Sequence, residues 1–240
     1  MIDLHTHILP AIDDGSQSLD ESLAMARLAV ADGITVMVAT PHGAGSPFAV
    51  TSARRDAALE LLRSALREQG IPLAIVPGME CWIHDQTIAA ALADPGCFLG
   101  GAGGRHLLVE LPNQLEVSHL EALLFDAQLK GLRLVLAHPE RHRDLCADLD
   151  RLARQVERGL ILQVNAGSLT GELGWSISRL AKKLVCNGLV QVVASDTHDP
   201  QDRPPLLSKA LKKLEKWLGP ATARQLVWDN PARLIGWNRE

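Results

Sequence analysis

Short apolar runs alternate along the chain with longer stretches in which apolar residues recur every three or four positions. The short runs, residues 1–5, 34–39, 73–76, 106–111, 132–137, 160–164 and 190–194, read as seven β-strands. Several are apolar without interruption, the pattern of strands covered on both faces. The longer stretches predict helices over 18–31, 53–69, 149–157, 176–186, 204–218 and 221–228. Ser18 and Glu21 stand at capping-box spacing, and Gly33, Gly70 and Gly159 close three of the helices. Strand and helix in alternation, with no break in composition, imply parallel strands and right-handed crossovers. Either an open sheet or a barrel would satisfy that pattern.

The residues at which the strands end decide between the two. The first strand runs into His5-Thr6-His7, the second into Thr40-Pro41-His42, the third into Gly78-Met79-Glu80 and the fourth into Glu110. The fifth runs into His138-Pro139-Glu140-Arg141 and the seventh into Ser195-Asp196-Thr197-His198, while Asp13-Asp14-Gly15 follows the first. Residues i and i+2 of a strand share a face about 6.6 Å apart, so His5 and His7 can reach one metal ion. An HxH pair alone is a weak signal. Metal-competent groups at the C-terminal ends of six strands are a strong one, because a closed ring of parallel strands brings those ends to one mouth. The expected architecture is an α/β barrel of (β/α)7 type, with residues 1–240 forming one domain.

Composition narrows the function. The chain has 240 residues, 47% hydrophobic and 22% charged, which suits a single packed domain. A formal net charge of −4 and the lack of a basic arm argue against nucleic acid as a partner. No basic-then-apolar leader opens the chain, and no apolar stretch approaches the ~18 residues of a membrane span. A cytoplasmic location without direct membrane insertion is expected. Cys81, Cys97, Cys146 and Cys186 form no CxxC pair and read as small hydrophobes. Cysteine-dependent phosphatases use Cys-x5-Arg; Cys146 comes nearest, with Arg151 one residue short. The nine histidines are the unusual part of the inventory.

From IDLHTHILPAIDDGS through ATPH, PGME, LVELP, AHPER, LQVNAGSLTG and ASDTH to RPP, the chain resembles the PHP (polymerase and histidinol phosphatase) superfamily. Within it, the resemblance is to the bacterial protein-tyrosine phosphatases of capsule and exopolysaccharide operons, and it covers nearly the whole chain. It implies a distorted seven-stranded barrel with three divalent metal ions: one on His5, His7, Glu80 and Asp196, a second on Asp14, His42 and His198, a third on Glu80, Glu110 and His138. It also implies a phosphotyrosine-bearing protein as substrate, the tyrosine-rich tail of a membrane-associated autokinase in polysaccharide export. Three features depart from the family: Gly43 where a second histidine is common, His142 where a tyrosine is common, and the run Gly100-Gly101-Ala102-Gly103-Gly104.

The donor set is imidazole and carboxylate without thiolate, which suits manganese first, with iron or zinc as alternatives. Adjacent divalent ions lower the pKa of a bridging water towards neutrality, giving a hydroxide for in-line attack on phosphorus. Arg141 and Arg203 offer planar forks that match phosphate oxygens. The four carboxylates of the implied ligand set carry −4, equal to the formal excess of the whole chain. Three divalent ions turn that into about +2, so a mildly acidic chain is expected to show phosphate a positive pocket.

Other signals point to structure. Asp148-Leu149-Asp150 reads as a helix cap, and the glycine run, preceding a strand, as a loop outside the chemistry. His84, His106 and His119 lie away from the rim pattern. Asn165, Ser168, His142 and Trp82 divide evenly between pocket wall and packing. The competing functions are another PHP phosphoesterase such as histidinol-phosphate phosphatase, a metal-dependent amidohydrolase, and a regulatory subunit without turnover. Oligomeric state has no signature in the sequence.

Overall fold

A computed structural model describes residues 1–112 and 117–237; the last three residues of the expected 1–240 domain lie outside them. Eight parallel strands form the centre: β1 (Ile2–Thr6), β2 (Val36–Ala39), β3 (Ala74–Pro77), β4 (Glu80–Trp82), β5 (His106–Glu110), β6 (Arg133–Ala137), β7 (Ile161–Asn165) and β8 (Val192–Ala194). β1, β2 and β3 pair in order, and so do β4 to β8. Two sets of backbone bonds close the ring. His7 N donates to Thr197 O and Asp196 N to His5 O, joining β1 to the end of β8. Glu80 N donates to Pro41 O and Gly43 N to Glu80 O, joining the end of β2 to β4.

The expected third strand, 73–76, is β3, and β4 is an additional strand formed by residues expected to follow it, the two separated at Gly78-Met79. That break is the distortion of the seven-stranded barrel. The gap it leaves beside β5 is filled by the glycine run: Leu99 N donates to His106 O and Gly100 N to Pro77 O. A Cβ on Gly100 would lie 2.9 Å from Ile235 O, and its φ is +88°, so only glycine passes there. The third departure from the family is thus a patch in the barrel wall.

Helices α1 (Leu19–Ala31), α2 (Ser52–Glu68), α3 (Thr87–Ala93), α4 (Val117–Leu129), α5 (Leu149–Glu157), α6 (Ala166–Thr170), α7 (Trp175–Cys186) and α8 (Ser208–Leu218) cover the outside. α9 (Pro220–Arg224), a π-helical turn Gln225–Asp229 and α10 (Asn230–Leu234) complete the chain. Ser18 caps α1 by accepting from Glu21 N, and Asp148 caps α5 by accepting from Arg151 N, as their spacing predicts. The strands separate two apolar clusters. Met37, Ile75, Leu107, Val109, Leu134, Leu136, Leu162 and Val164 face the helices. Ile2, Leu4, Val36, Val38, Leu108, Val135, Ile161 and Val192 fill the interior, closed from below by Leu234 and Ile235.

The β3/β4 break is pinned by a fully buried charge. Arg55 of α2 donates from Nη1 to Gly78 O (2.8 Å) and from Nη2 to Gly96 O (3.1 Å). Truncation to Arg55→Ala leaves the buried Gly78 carbonyl and the half-buried Gly96 carbonyl without this donor, and we expect a loss of about 2–4 kcal/mol in urea unfolding. A loss below about 0.5 kcal/mol would mean that the break holds itself.

Candidate metal centre

Alternation along β1 should put His5 on the face opposite Leu4, yet both point inward. The register of β1 against β2 shifts between Asp3 and Thr6, and this irregularity turns His5 into the barrel beside His7. Gly15 serves the same corner. A Cβ there would stand 2.1 Å from His7 O, so glycine lets the following loop close on His7, with Ser16 N donating to His7 O. Two further ligand candidates, His138 (φ 34°) and Asp196 (φ 56°), adopt left-handed backbone that non-glycine residues rarely take. Such strain persists where the surroundings over-determine it, and it gathers at functional sites.

These devices bring together all nine residues of the expected ligand set. His5 Nε2 lies 3.2 Å from His7 Nε2, 3.3 Å from Glu80 Oε2 and 3.3 Å from Asp196 Oδ1. His7 Nε2 lies 3.4 Å from Glu80 Oε2 and 3.6 Å from Asp196 Oδ1. Two donors at about 2.1 Å from one ion stand about 3.0–3.4 Å apart in octahedral or tetrahedral geometry, so these spacings fit one ion. Asp14 Oδ1 is 3.3 Å from His42 Nε2 and 3.6 Å from His198 Nε2. Glu80 turns its other oxygen, Oε1, to His138 Nε2 at 3.2 Å, and Glu110 Oε1 is 3.8 Å from the same nitrogen. His42 Nδ1 is buried without a hydrogen-bond partner, although Glu80 Oε2 is only 3.2 Å away. The structure thus offers a second grouping for His42, with Glu80 and Glu110 through Nδ1, beside the expected one with Asp14 and His198 through Nε2.

Around the donors runs a set of orienting contacts that the motifs only partly foretold. His5 Nδ1 donates to Gln163 Oε1, Gln163 Nε2 to Asn165 Oδ1, and Asn165 Nδ2 to Asp196 Oδ2, linking two ligand candidates through β7. Asp13 Oδ2 accepts from His7 Nδ1 (2.7 Å) and from His42 N (3.0 Å). Holding Nδ1 in this way directs Nε2 at the centre. Ser168 Oγ and Asn165 N both donate to buried Glu140 Oε1, fixing the turn after β6. Asn165 and Ser168 are thus supporting residues. Gln163 was missed, a lone glutamine in an otherwise apolar strand being the available signal; Glu140, named with the rim groups after the fifth strand, lies behind the donors as a hydrogen-bond acceptor.

A cavity of about 220 Å³ opens above the donors, lined also by Arg141, Arg203, Pro47, Phe48 and Trp82. Arg203 Nη2 donates to Asp196 Oδ2 at 2.6 Å, and Arg141 Nη1 is 3.8 Å from the same oxygen. His142 does not line the cavity. A Cβ on Gly43 would meet Met79 Cε at 2.9 Å and Cys81 Sγ at 3.1 Å, so this packing leaves no room for a second histidine. His84, His106 and His119 belong to none of the donor groups found among the described residues. His106 instead donates to Leu234 O beneath the barrel.

Burial and charge compete strongly here. Glu80 is 1% exposed and Asp196 2%. Burial would raise Glu80, but His5, His138 and His7 hold it well below the usual carboxylate range. Burial works against His5 too, yet Glu80 and Asp196 lift its pKa to about 9. His198, pushed down by burial and by His7, falls to about 3. Half-exposed Asp14 is lowered to about 2, because His42 and His198 outweigh its partial burial.

Comparison with known proteins agrees with this geometry. Residues 1–236 match the family model described as capsular polysaccharide synthesis, CpsB/CapC. The chain belongs to the CpsB/CapC family. Among members, it is 36% identical over 219 residues to the tyrosine-protein phosphatase YwqE of Bacillus subtilis, covering 91% of this chain and 85% of that one. It is 30% identical over 209 residues to the putative tyrosine-protein phosphatase CapC of Staphylococcus aureus, covering 87% and 81%. A crystal structure from work on B. subtilis YwqE and Streptococcus pneumoniae CpsB, described as metal-dependent tyrosine phosphatases, superposes with TM-score 0.90 at 34% identity, covering 100% of this chain and 96% of that one. The zinc-containing histidinol phosphate phosphatase of Lactococcus lactis shares the fold alone, with TM-score 0.58 at 14% identity, covering 90% and 94%.

These shifts predict how the chelator-treated CpsB/CapC chain responds to pH. A folded pKa for His5 above its ordinary 6.5 gives stability that is complete below pH 6.5 and is lost as pH rises through about 9. The depressed His198 acts on the other side: below pH 6.5 the unfolded chain takes a proton that the folded one refuses. We expect the urea midpoint of the chelated protein to peak near pH 6.5 and to fall towards both pH 9 and pH 4. A flat profile would contradict the charge balance.

Proposed function

We propose that the cavity is the active centre of a metal-dependent protein-tyrosine phosphatase, with residues 1–240 as one catalytic domain. Membership of the CpsB/CapC family supports the reaction, and the convergence of nine donors on one mouth carries the site. His5, His7, Glu80 and Asp196 would hold one divalent ion, Asp14, His42 and His198 a second, and Glu80, Glu110 and His138 a third. Glu80 is suited to bridge, since its two oxygens face different histidines. Manganese fits the nitrogen and oxygen donors, as do iron and zinc. When bound, such ions neutralise phosphate oxygens and make water a nucleophile near neutral pH.

The chain's own groups position the ester. Arg141 and Arg203 stand at the cavity edge, partly exposed, with guanidinium donors free to turn from Asp196 to phosphate oxygens. Tyrosine's phenolate, with a pKa near 10, leaves with less help from an acid than an alkoxide would. A phosphotyrosine-bearing protein is the substrate class, and by family context it is the tyrosine-rich tail of a membrane-associated autokinase in capsule or exopolysaccharide synthesis. We place the protein in the cytoplasm; no helix among the described residues is long and apolar enough to cross a membrane.

Arg141→Ala and Arg203→Ala are each expected to keep the full metal content by elemental analysis and to lose about 10²-fold or more in kcat/KM on a phosphotyrosine peptide. Unchanged turnover in a metal-replete variant would remove that arginine from the reaction. Glu80→Ala is expected to lose metal and activity together, and three retained ions would refute its bridging role. Histidinol phosphate, a phosphodiester and a dihydropyrimidine amide assayed in parallel should all be poorer substrates than the peptide; preference for any of them would reassign the enzyme.

A further inference from the structure

Eight large hydrophobic residues are exposed among the described residues, and Phe48 is the only one of them that lines the catalytic cavity. It is 40% exposed, and its ring stacks on that of His42, with 5.6 Å between centroids and 8° between planes. Pro47 and Trp82 extend the same apolar lining, and Trp82 is fixed by donating from Nε1 to Glu110 Oε2 at 2.6 Å. The remaining wall is charged. A phosphate head explains the charged part of the cavity, and the apolar part calls for a group on the ester oxygen that prefers an aromatic surface to water.

The segment carrying Phe48 is held in place. Val50 N donates to His42 O, closing the loop on itself, and Ala49 N donates to the buried Ser46 Oγ, which in turn donates to Gly43 O. The loop is stitched to β4 by Gly43 N on Glu80 O and by Trp82 N on Ala44 O. Its conformation includes a left-handed residue, Ala49, at φ 43°. A ring presented by a pre-formed loop loses little freedom when it is covered.

We propose that Phe48, with Pro47 and Trp82 beside it, forms the platform for the phenyl ring of the substrate and is the residue that selects aryl over alkyl phosphate esters. The inference rests on the phosphatase reading above. Stacked aromatic pairs contribute about 0.5–1.5 kcal/mol beyond the area they bury, so loss of the platform should weaken aryl binding about tenfold. An alkyl ester, with no ring to place there, should not notice the change.

The test measures binding of phenylphosphonate and methylphosphonate to the metal-loaded protein by calorimetry, in the wild type, Phe48→Ala and Phe48→Tyr. The two probes share a head group and differ in the ring, and neither is turned over. We expect the wild type to favour phenylphosphonate, Phe48→Ala to weaken it about tenfold while changing methylphosphonate less than twofold, and Phe48→Tyr to restore wild-type preference. Equal weakening of both probes, or of neither, would overturn the proposal, the first by showing that Phe48 acts only through His42 and the ions. A wild type that binds neither probe would instead refute the phosphate-binding reading on which the inference stands.

Discussion

Glu80 and Asp196 are carboxylates almost wholly removed from water, and their burial is tolerable only while positive charge stands against them. The rest of the molecule arranges that charge. Without metal, the compensation falls on imidazolium and, at Asp196, also on Arg203, which is why His5 is held protonated to about pH 9. Divalent ions bound by the proposed ligands would take over that role and release the protons, because imidazole must be neutral to ligate. The same pair of acids therefore sets the acid–base behaviour of the metal-free fold and defines the position of the proposed centre.

Holding the donors there requires departures from regular structure at several points. The register shift in β1 turns His5 inward, left-handed backbone at His138 and Asp196 aims their side chains, and the break between β3 and β4 delivers Glu80. Each strained residue costs about 1–3 kcal/mol. The surrounding contacts hold these geometries: Arg55 on the Gly78 carbonyl, Gly100 in the gap beside β5, and the Gln163–Asn165 link between His5 and Asp196. A floor held in this way leaves selectivity to the wall above it, which Arg141, Arg203 and Phe48 line.

Much of this was legible in the chain because parallel barrels place strand ends at one mouth. The apolar runs marked the strands to within a residue or two, and the polar residues that follow them marked the donors. The β3/β4 break was only half visible: Pro77-Gly78 marks an interruption, but it reads as the end of the third strand and does not reveal that a further strand, Glu80–Trp82, starts at once and pairs with β5. The inward turn of His5 defied the alternation rule, yet the two histidines of the HxH pair do bring their Nε2 atoms to within 3.2 Å of one another. α3 and α4 were missed as well, although Leu120, Leu123, Leu124 and Ala127 of α4 recur at helical spacing; the exposed Phe125 and Leu129 on its other side blur that pattern. Asp13 was seen as part of a metal-competent loop, but its place behind His7 depends on a closure that only Gly15 permits.

The most direct measurement is anomalous diffraction from crystals of the manganese-loaded protein, collected above and below the metal edge. Three peaks should appear in the cavity, with the two oxygens of Glu80 bonded to different ions and His5 Nε2 and His7 Nε2 on the same one. A single peak, or peaks that leave Glu80 on one ion only, would contradict the bridged three-ion centre.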